Sequence, residues 1–153
     1  MSYSFYVRTS VCILLVTACS YNAGRWVEEH GYGPVTEKIE TGEPDEELAR
    51  QGRQAFDYYC SICHRMDSVL TGPPLGRVAG RRKPEFIVNY ILNPRENRLN
   101  HPAGVRLGKQ YSGIMAETGI SEEQARAVYE YLRFYSENRE NPEKTGTIGP
   151  DKE

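Results

Sequence analysis

Two cysteines and a histidine fall within five consecutive positions of this chain, in the segment CSICH at residues 60–64. Cys60 and Cys63 are three residues apart, so in a helical turn both sulfurs lie on one side. His64 follows directly and is carried to the same side. In an exported chain, this pattern is typical of covalent attachment of haem, with the histidine binding the iron. The segment therefore predicts one haem c, bonded to Cys60 and Cys63 and ligated by His64.

Three other interpretations of the cysteine pair are weaker. A thioredoxin-like redox pair heads a helix that follows a strand, whereas this pair ends a predicted helix and no βαβ pattern surrounds it. A zinc site needs further ligands at comparable spacing, and no remaining cysteine can supply them. A structural disulfide would leave the irregular middle of the chain without a core. A large apolar macrocycle supplies that core in a domain of this size.

The amino-terminal segment reads as an export signal. One positive charge, Arg8, precedes the apolar run VCILLVTA, which ends in small residues just before Cys19. This run is shorter than the roughly 20 apolar residues that span a bilayer. The segment VTACS resembles the lipobox of bacterial lipoproteins, which implies cleavage before Cys19 and lipidation of its sulfur. The alternative is an ordinary secretory signal that is cut nearby, and in either case Cys12 leaves with the signal.

The mature protein is therefore expected outside the cytoplasm, on the periplasmic side of a bacterial membrane. Lipid chains at Cys19 would anchor it, since each buried methylene contributes about 0.8 kcal/mol. Ser20 after the lipidated cysteine favours the outer membrane by the sorting rule of enteric bacteria.

Helix signals divide the rest of the chain. Residues 19–43 lack sustained periodicity and are predicted to form a flexible tether. Pro44 and the acidic residues after it predict the start of a helix. One face of this helix carries Leu48, Gly52, Phe56 and Cys60. Because glycine in a helix interior costs about 1 kcal/mol relative to alanine, Gly52 predicts that another element packs closely there.

Further signals place two more helices. A helix is predicted to begin at Pro84 and to stop before Pro94, where an irregular stretch begins and runs to Gly119. The last helix has the clearest start, because Ser121 and Gln124 form a capping box. The predicted parts are a signal peptide (1–18), a tether (19–43), an all-α domain (44–137) and a disordered tail (138–153).

The motifs of the predicted domain together resemble the class I cytochrome c family, a small fold of three or more helices around one covalently attached haem. The spacing of Gly52, Phe56 and Cys60 is similar to that of the family's amino-terminal helix, where the glycine permits close crossing by the carboxy-terminal helix. The resemblance covers residues 44–137.

Three further residues receive roles from the resemblance. TGPPLG resembles the loop in which a proline carbonyl holds the haem-ligating histidine, which implies that role for Pro73. AGRR is similar to the segment that supplies an arginine near the haem propionates, which implies Arg81. YILNPREN resembles the helix that closes the propionate side, which implies a contact from Tyr90.

The resemblance also implies a methionine as the second axial ligand of the iron. Met115 lies just before the capped helix, where the family carries its ligand, although Ala116 and Glu117 replace the proline that often follows. Met66 is too near His64 in sequence to reach the opposite face of the ring. The rival ligand in the domain is His101, in the segment NHPAG.

With both axial positions filled by protein, the iron is suited to one-electron exchange and poorly suited to catalysis. The predicted function is thus electron transfer by a membrane-tethered carrier, not an enzyme. If Met115 does not ligate, an open position would instead suit a sensor of diatomic gases or a reaction with peroxide. A third alternative is a tethered cytochrome subunit of an oxidase or dehydrogenase complex.

Charge is unevenly distributed along the chain. Nine basic and three acidic residues lie between Arg65 and Lys109, whereas the flanking segments are acidic. A basic surface near the haem is expected to attract a redox partner protein with an acidic docking surface. Nucleic acid is not an expected partner, because the mature chain is net acidic.

Overall fold

The computed structural model describes residues 24–139 and residue 148, and the described part of the chain is helical, without β-strands. Residues 24–30 form helix α1. The other helices, in order, are α2 (Glu46–Tyr59), α3 (Pro84–Leu92), α4 (Pro94–Asn100), α5 (Pro102–Gln110) and α6 (Glu122–Asn138). The all-α prediction is confirmed. No described helix is both long and apolar enough to cross a membrane, and the predicted signal peptide and Cys19 lie outside the described residues.

Helices α2 and α6 cross in direct backbone contact at Gly52. A Cβ atom added to Gly52 would lie 1.8 Å from the carbonyl oxygen of Ala127, so any larger residue would separate the helices. Beside the crossing, the rings of Phe56 and Tyr131 pack with their centroids 5.4 Å apart. The predicted close approach is therefore confirmed, and it fixes the end of α2, from which the CSICH segment continues.

Both helices begin at side-chain caps. Asp45 caps α2 by accepting hydrogen bonds from the backbone N–H groups of Glu47 and Leu48. The capping box predicted for α6 is present in both directions, between Ser121 and Gln124. These caps satisfy N–H groups that the first helical turn leaves without partners.

The stretch after Pro94 is more regular than predicted. Helix α3 has the expected bounds, but α4 begins at Pro94 and α5 at Pro102, so the prediction of an irregular stretch up to Gly119 is wrong before Tyr111. The reason is that a proline which ends one helix can also begin the next: Pro94 and Pro102 occupy the first turns of α4 and α5, where no N–H partner is lost. His101 caps α5 by accepting from the backbone N–H of Ala103.

The amino-terminal segment is not a flexible tether over its described residues, and we call residues 24–39 the strap. Asn89, which is fully buried on α3, accepts from Val35 N–H at 2.9 Å and donates to the carbonyls of His30 and Val35. On α4, the buried Asn97 brackets the backbone of Tyr32 in the same way, accepting from its N–H at 2.8 Å and donating to its carbonyl at 2.6 Å. The strap is thus hydrogen-bonded to two helices.

The strap also covers a buried acid. Glu85, which is 1% exposed, accepts from Ile39 N–H at 2.6 Å, and His30 Nε2 lies 3.7 Å from its other oxygen. No hydrophobic period marks these contacts, because amide and carboxylate side chains make them. This is why the prediction of a structureless 19–43 segment fails between residues 24 and 39.

The core lies between α2, α3 and α6, and its members include one apolar stripe of α6, formed by Ala125, Val128, Leu132 and Tyr135. Ile148 belongs to the same core and is 1% exposed. Its burial differs from the prediction that residues 138–153 are disordered. Within the same predicted tail, Asn138 is the last residue of α6 and Arg139 is its carboxy-terminal cap, and the other residues lie outside the description.

Candidate functional site

A tight turn after α2 brings the cysteine pair and the histidine together. Cys60 is the carboxy-terminal cap of α2, and its carbonyl accepts from the N–H groups of both Cys63 and His64 at 3.0 Å. Both cysteines are half-buried free thiols. The structural-disulfide interpretation is therefore wrong. No cluster of three or more metal-ligating side chains occurs in the described part of the chain, which leaves the zinc interpretation without ligands there.

The Cys60 thiol is chemically quiet in this environment. Burial, followed by the charges of Asp57 and Cys63, raises its pKa to about 12. The thiolate is the reactive form, and the raised pKa favours the neutral thiol at neutral pH. A thioether bond at the same position would carry no charge and would suit the apolar surroundings.

The His64 imidazole is oriented by one hydrogen bond. Its Nδ1 lies 2.8 Å from the carbonyl oxygen of Pro73, and because a carbonyl only accepts, Nδ1–H is the donor. This leaves Nε2 as the nitrogen that can bind iron, the arrangement that the resemblance implies for Pro73. Burial lowers the pKa of His64, and the Pro73 bond opposes that shift. A lowered pKa keeps the imidazole neutral, as a metal ligand must be.

Gly72 is a site residue that sequence reasoning missed. A Cβ atom at this position would lie 2.4 Å from Cε1 and 2.8 Å from Nδ1 of His64, so only glycine leaves room for the ring. The Gly72 N–H also donates to the Cys63 carbonyl at 2.9 Å. Gly72 belongs to the TGPPLG segment, from which sequence reasoning assigned a role to Pro73 alone.

Met115 lies in the loop between α5 and α6, which we call the distal loop (residues 111–119), and its side chain is half-buried. This loop touches the loop beside His64, because a Cβ atom on Gly113 would lie 2.6 Å from Cγ2 of Thr71. Arg98, on α4, donates from Nη1 to the Gly113 carbonyl at 3.0 Å. Met115 is thus two residues from a contact with the His64 side of the site.

The roles of Arg81 and Tyr90 beside the haem propionates stay predictions. Arg81 is exposed, and its Nε donates to the carbonyl of Arg77 at 3.2 Å. Tyr90 is half-buried on α3, with its ring centroid 5.7 Å from that of Phe86. Burial raises the pKa of Tyr90, and the positive charge of Arg98 opposes this shift.

His101 is neither a solvated histidine nor a free ligand. It is 4% exposed, its Nδ1 accepts from Ala103 N–H at 3.1 Å, and its Nε2 donates to the Glu28 carbonyl at 3.0 Å. With both ring nitrogens bonded to backbone, it connects the strap to α5. This removes the rival to Met115 among the histidines of the predicted domain.

The residues present fit a covalently bound haem. Two free thiols and an imidazole with Nε2 available belong to the same turn, and the absence of a side chain at Gly72 leaves room for the ring of His64. Near this turn the protein exposes several apolar side chains. They are Ile62 at 79%, Val69 at 60%, Leu70 at 45% and Ile114 at 76% exposure.

Comparisons with known proteins agree with this geometry. The family profile of cytochrome c matches residues 49–135. Among solved structures, cytochrome c from Rhodothermus marinus is 42% identical, with a TM-score of 0.69, and the match covers 73% of this chain and 97% of that chain. An engineered cytochrome c from Rhodothermus marinus, bound to a carbene intermediate, is 43% identical with a TM-score of 0.66 over the same shares. A comparison with curated proteins finds no match.

Proposed function

This chain belongs to the cytochrome c family and carries one covalently bound haem c, and from that premise we propose that it transfers single electrons with His64 and Met115 as axial ligands. The bound haem supplies the one-electron couple of its iron. The observation that supports the proposal most is the hydrogen bond from His64 Nδ1 to the Pro73 carbonyl. It holds the imidazole in one orientation and directs Nε2 towards the metal position.

Met115 is the second ligand in this proposal. It lies in the distal loop. Gly113 of this loop packs against Thr71, at the edge of the loop beside His64. A thioether is a weak, soft ligand that raises the reduction potential. If His64 and Met115 both bound the iron of the haem, the protein would leave no open position there for a substrate. This arrangement favours electron exchange over catalysis.

Optical spectra of the ferric and ferrous protein test the ligation directly. A ferrous c-type spectrum with the far-red sulfur-to-iron band in the ferric form is expected. In the Met115→Ala variant, we expect covalent haem to be retained, the band to be lost, the potential to fall and cyanide to bind faster. A wild-type spectrum without the band, or a variant that binds cyanide no faster, would contradict ligation by Met115. Ligand sensing or peroxide chemistry would then replace electron transfer as the leading function.

The redox partner is proposed to be a protein with an acidic docking surface. The TGPPLG loop is followed by exposed basic side chains at Arg77, Arg81, Arg82 and Lys83, which would attract such a partner and accelerate its encounter. The exposed apolar residues Ile62, Leu70 and Ile114 are suited to the close contact that follows. An electron-transfer rate that does not fall with rising ionic strength would contradict this assignment of charge.

Membrane attachment is proposed to occur through lipid at Cys19, on the periplasmic side and at the outer membrane. The expected result for Cys19→Ala is an unlipidated protein that a high-salt wash releases from membranes, with an unchanged haem spectrum. A variant that stays membrane-bound would refute lipidation as the anchor. Purification of the wild-type protein in mild detergent separates a free carrier, which elutes alone, from a subunit that co-purifies with an oxidase or dehydrogenase.

A further inference from the structure

The distal loop receives a hydrogen bond from a charged side chain of another helix. Nη1 of Arg98, on α4, donates to the Gly113 carbonyl at 3.0 Å, two residues before Met115. Hydrogen bonds from a guanidinium are charge-assisted and stronger than those between neutral groups. The bond is partly buried, so water competes for it less than at an exposed site.

Packing of α5 against α4 holds Arg98 in place. A Cβ atom on Gly104 would lie 1.9 Å from the carbonyl oxygen of Asn97 and 2.8 Å from Cα of Arg98, so the two backbones are in contact there. One turn further along α5, a Cβ atom on Gly108 would lie 3.3 Å from Cζ of Arg98. The guanidinium therefore occupies the space that this second glycine leaves open.

The charge of the Arg98 guanidinium also reaches Tyr90. The positive charge of Arg98 acts on the Tyr90 hydroxyl and opposes the rise of its pKa that burial causes. Arg98 thus contacts α5 and the distal loop, and its charge reaches Tyr90 on α3. The residue before it, Asn97, is hydrogen-bonded to the strap, so the backbone of α4 is fixed from the other side.

We propose that Arg98 is a positioning residue that keeps the distal loop closed over the iron and Met115 within ligating distance. This inference rests on the proposed His64–Met115 ligation. A thioether is a weak ligand, and the distal loop is not helical beyond Tyr111, whose N–H donates to the Leu107 carbonyl at the end of α5. Loss of the Arg98 bond lets this loop regain conformational entropy. The population of the open state rises, and external ligands reach the iron more often.

The test uses the holoprotein and two substitutions of equal charge change. We expect Arg98→Gln to raise the affinity of the ferric protein for imidazole by about tenfold or more, as loss of a charged hydrogen bond implies, and to weaken the far-red band. Arg95→Gln removes a positive charge from an exposed position of the same helix. It should leave the imidazole affinity and the far-red band at the wild-type level. This control distinguishes loss of the Arg98 hydrogen bond from loss of a positive charge on α4.

A double variant shows whether Arg98 acts through Met115. When Met115→Ala is already present, the added Arg98→Gln change should alter the imidazole affinity little, because the ligand that it positions is gone. An undiminished tenfold effect in that background would overturn the inference. If Arg98→Gln does not fold, Gly108→Val displaces the guanidinium without removing it, and it should raise the imidazole affinity in the same direction. No change with Gly108→Val would equally overturn the inference.

The outcomes separate the inference from the proposed function. A wild-type protein without the far-red band would refute the His64–Met115 ligation, and the role of Arg98 with it. A wild-type protein with the band, together with an Arg98→Gln variant of unchanged imidazole affinity, would refute the role of Arg98 alone.

Discussion

The two sides of the candidate haem site are fixed to different degrees. On the His64 side, backbone hydrogen bonds join residues 63–66 to residues 72–76. They run from Gly72 N to Cys63 O at 2.9 Å, from Leu75 N to Arg65 O at 3.0 Å and from Gly76 N to Met66 O at 2.7 Å. On the Met115 side, Tyr111 N donates to Leu107 O at 2.8 Å where the distal loop leaves α5. Beyond that point the loop has the Arg98 bond to Gly113 and a bond of 3.4 Å from Ile120 N to the Thr118 hydroxyl.

This difference assigns the two ligands different tasks. An imidazole that is held by backbone and by the Pro73 carbonyl has one orientation, so its iron bond depends little on fluctuations of the chain. A thioether on a loop with few internal bonds depends on neighbouring elements for its position. Changes to the His64 side are therefore expected to affect folding and ligation together, whereas changes to the distal loop are expected to affect ligation first.

The largest expected effect comes from Gly72→Ala. The added methyl would lie 2.4 Å from Cε1 of His64, and the ring cannot move away without leaving the Pro73 carbonyl. Overpacking of this kind costs roughly 2–3 kcal/mol, and here it also tilts the iron ligand. We expect a lower midpoint of chemical unfolding and altered ferric spectra, measured on the purified holoprotein.

Gly80→Ala is the matched control for this change. The nearest atom to a Cβ at Gly80 is the Ser136 hydroxyl at 3.6 Å, an ordinary contact, and Gly80 has no positive φ. Its unfolding midpoint should stay close to that of the wild-type protein. Equal destabilisation by the two substitutions would show that loop glycines matter here for chain flexibility and not for the fit against His64.

A smaller effect is expected from Gly113→Ala in the distal loop. The methyl would lie 2.6 Å from Cγ2 and 2.9 Å from the carbonyl oxygen of Thr71. Because the Thr71 side chain and the loop can both shift, the cost should be about 1–2 kcal/mol. Expressed as free energies, the gain in imidazole affinity should exceed the loss of unfolding stability. Thr71→Ser removes Cγ2 and should rescue part of the loss, and no rescue would place the strain at the carbonyl.

Features that depend on local spacing could be predicted from the sequence, whereas features that depend on contacts between distant segments could not. The CSICH turn, the α2–α6 crossing at Gly52 and the capping box of α6 depend on local spacing, and local spacing is visible in a sequence. The strap was missed because buried amides hold it, and Asn89 and Asn97 fit no hydrophobic period. Helices α4 and α5 were missed because a proline in a first turn and a proline that ends a helix look alike without the surrounding structure.

The fit of Gly72 against His64 and the bond from Arg98 to Gly113 were also beyond sequence reasoning. Both depend on chain segments that meet only after folding, so the TGPPLG motif around Gly72 does not reveal its fit against His64, and nothing near Arg98 in the sequence marks its bond to Gly113. The roles of Arg81 and Tyr90 came from resemblance alone and stay predictions, since their described contacts are with Arg77 and Phe86.

The smallest expected effect concerns the anchoring of the His64 side to α6. The Tyr135 hydroxyl donates to Asp67, which also pairs with Arg139 at 2.9 Å. Burial and this carboxylate raise the pKa of Tyr135 to about 12, above the usual value near 10. Because the folded state favours the protonated phenol, its contribution to stability is complete below about pH 10 and is lost as the pH rises towards 12.

Tyr135→Phe should therefore lower the free energy of unfolding by about 1 kcal/mol at pH 8, the usual value of one hydrogen bond. The difference from the wild-type protein should shrink as the pH rises from about 10 towards 12, in denaturant titrations repeated across that range. The imidazole affinity should not change, because the His64 side keeps its backbone hydrogen bonds without Tyr135. A rise in imidazole affinity would show that the anchoring of the His64 side also limits access to the iron, which would contradict the division between the two sides.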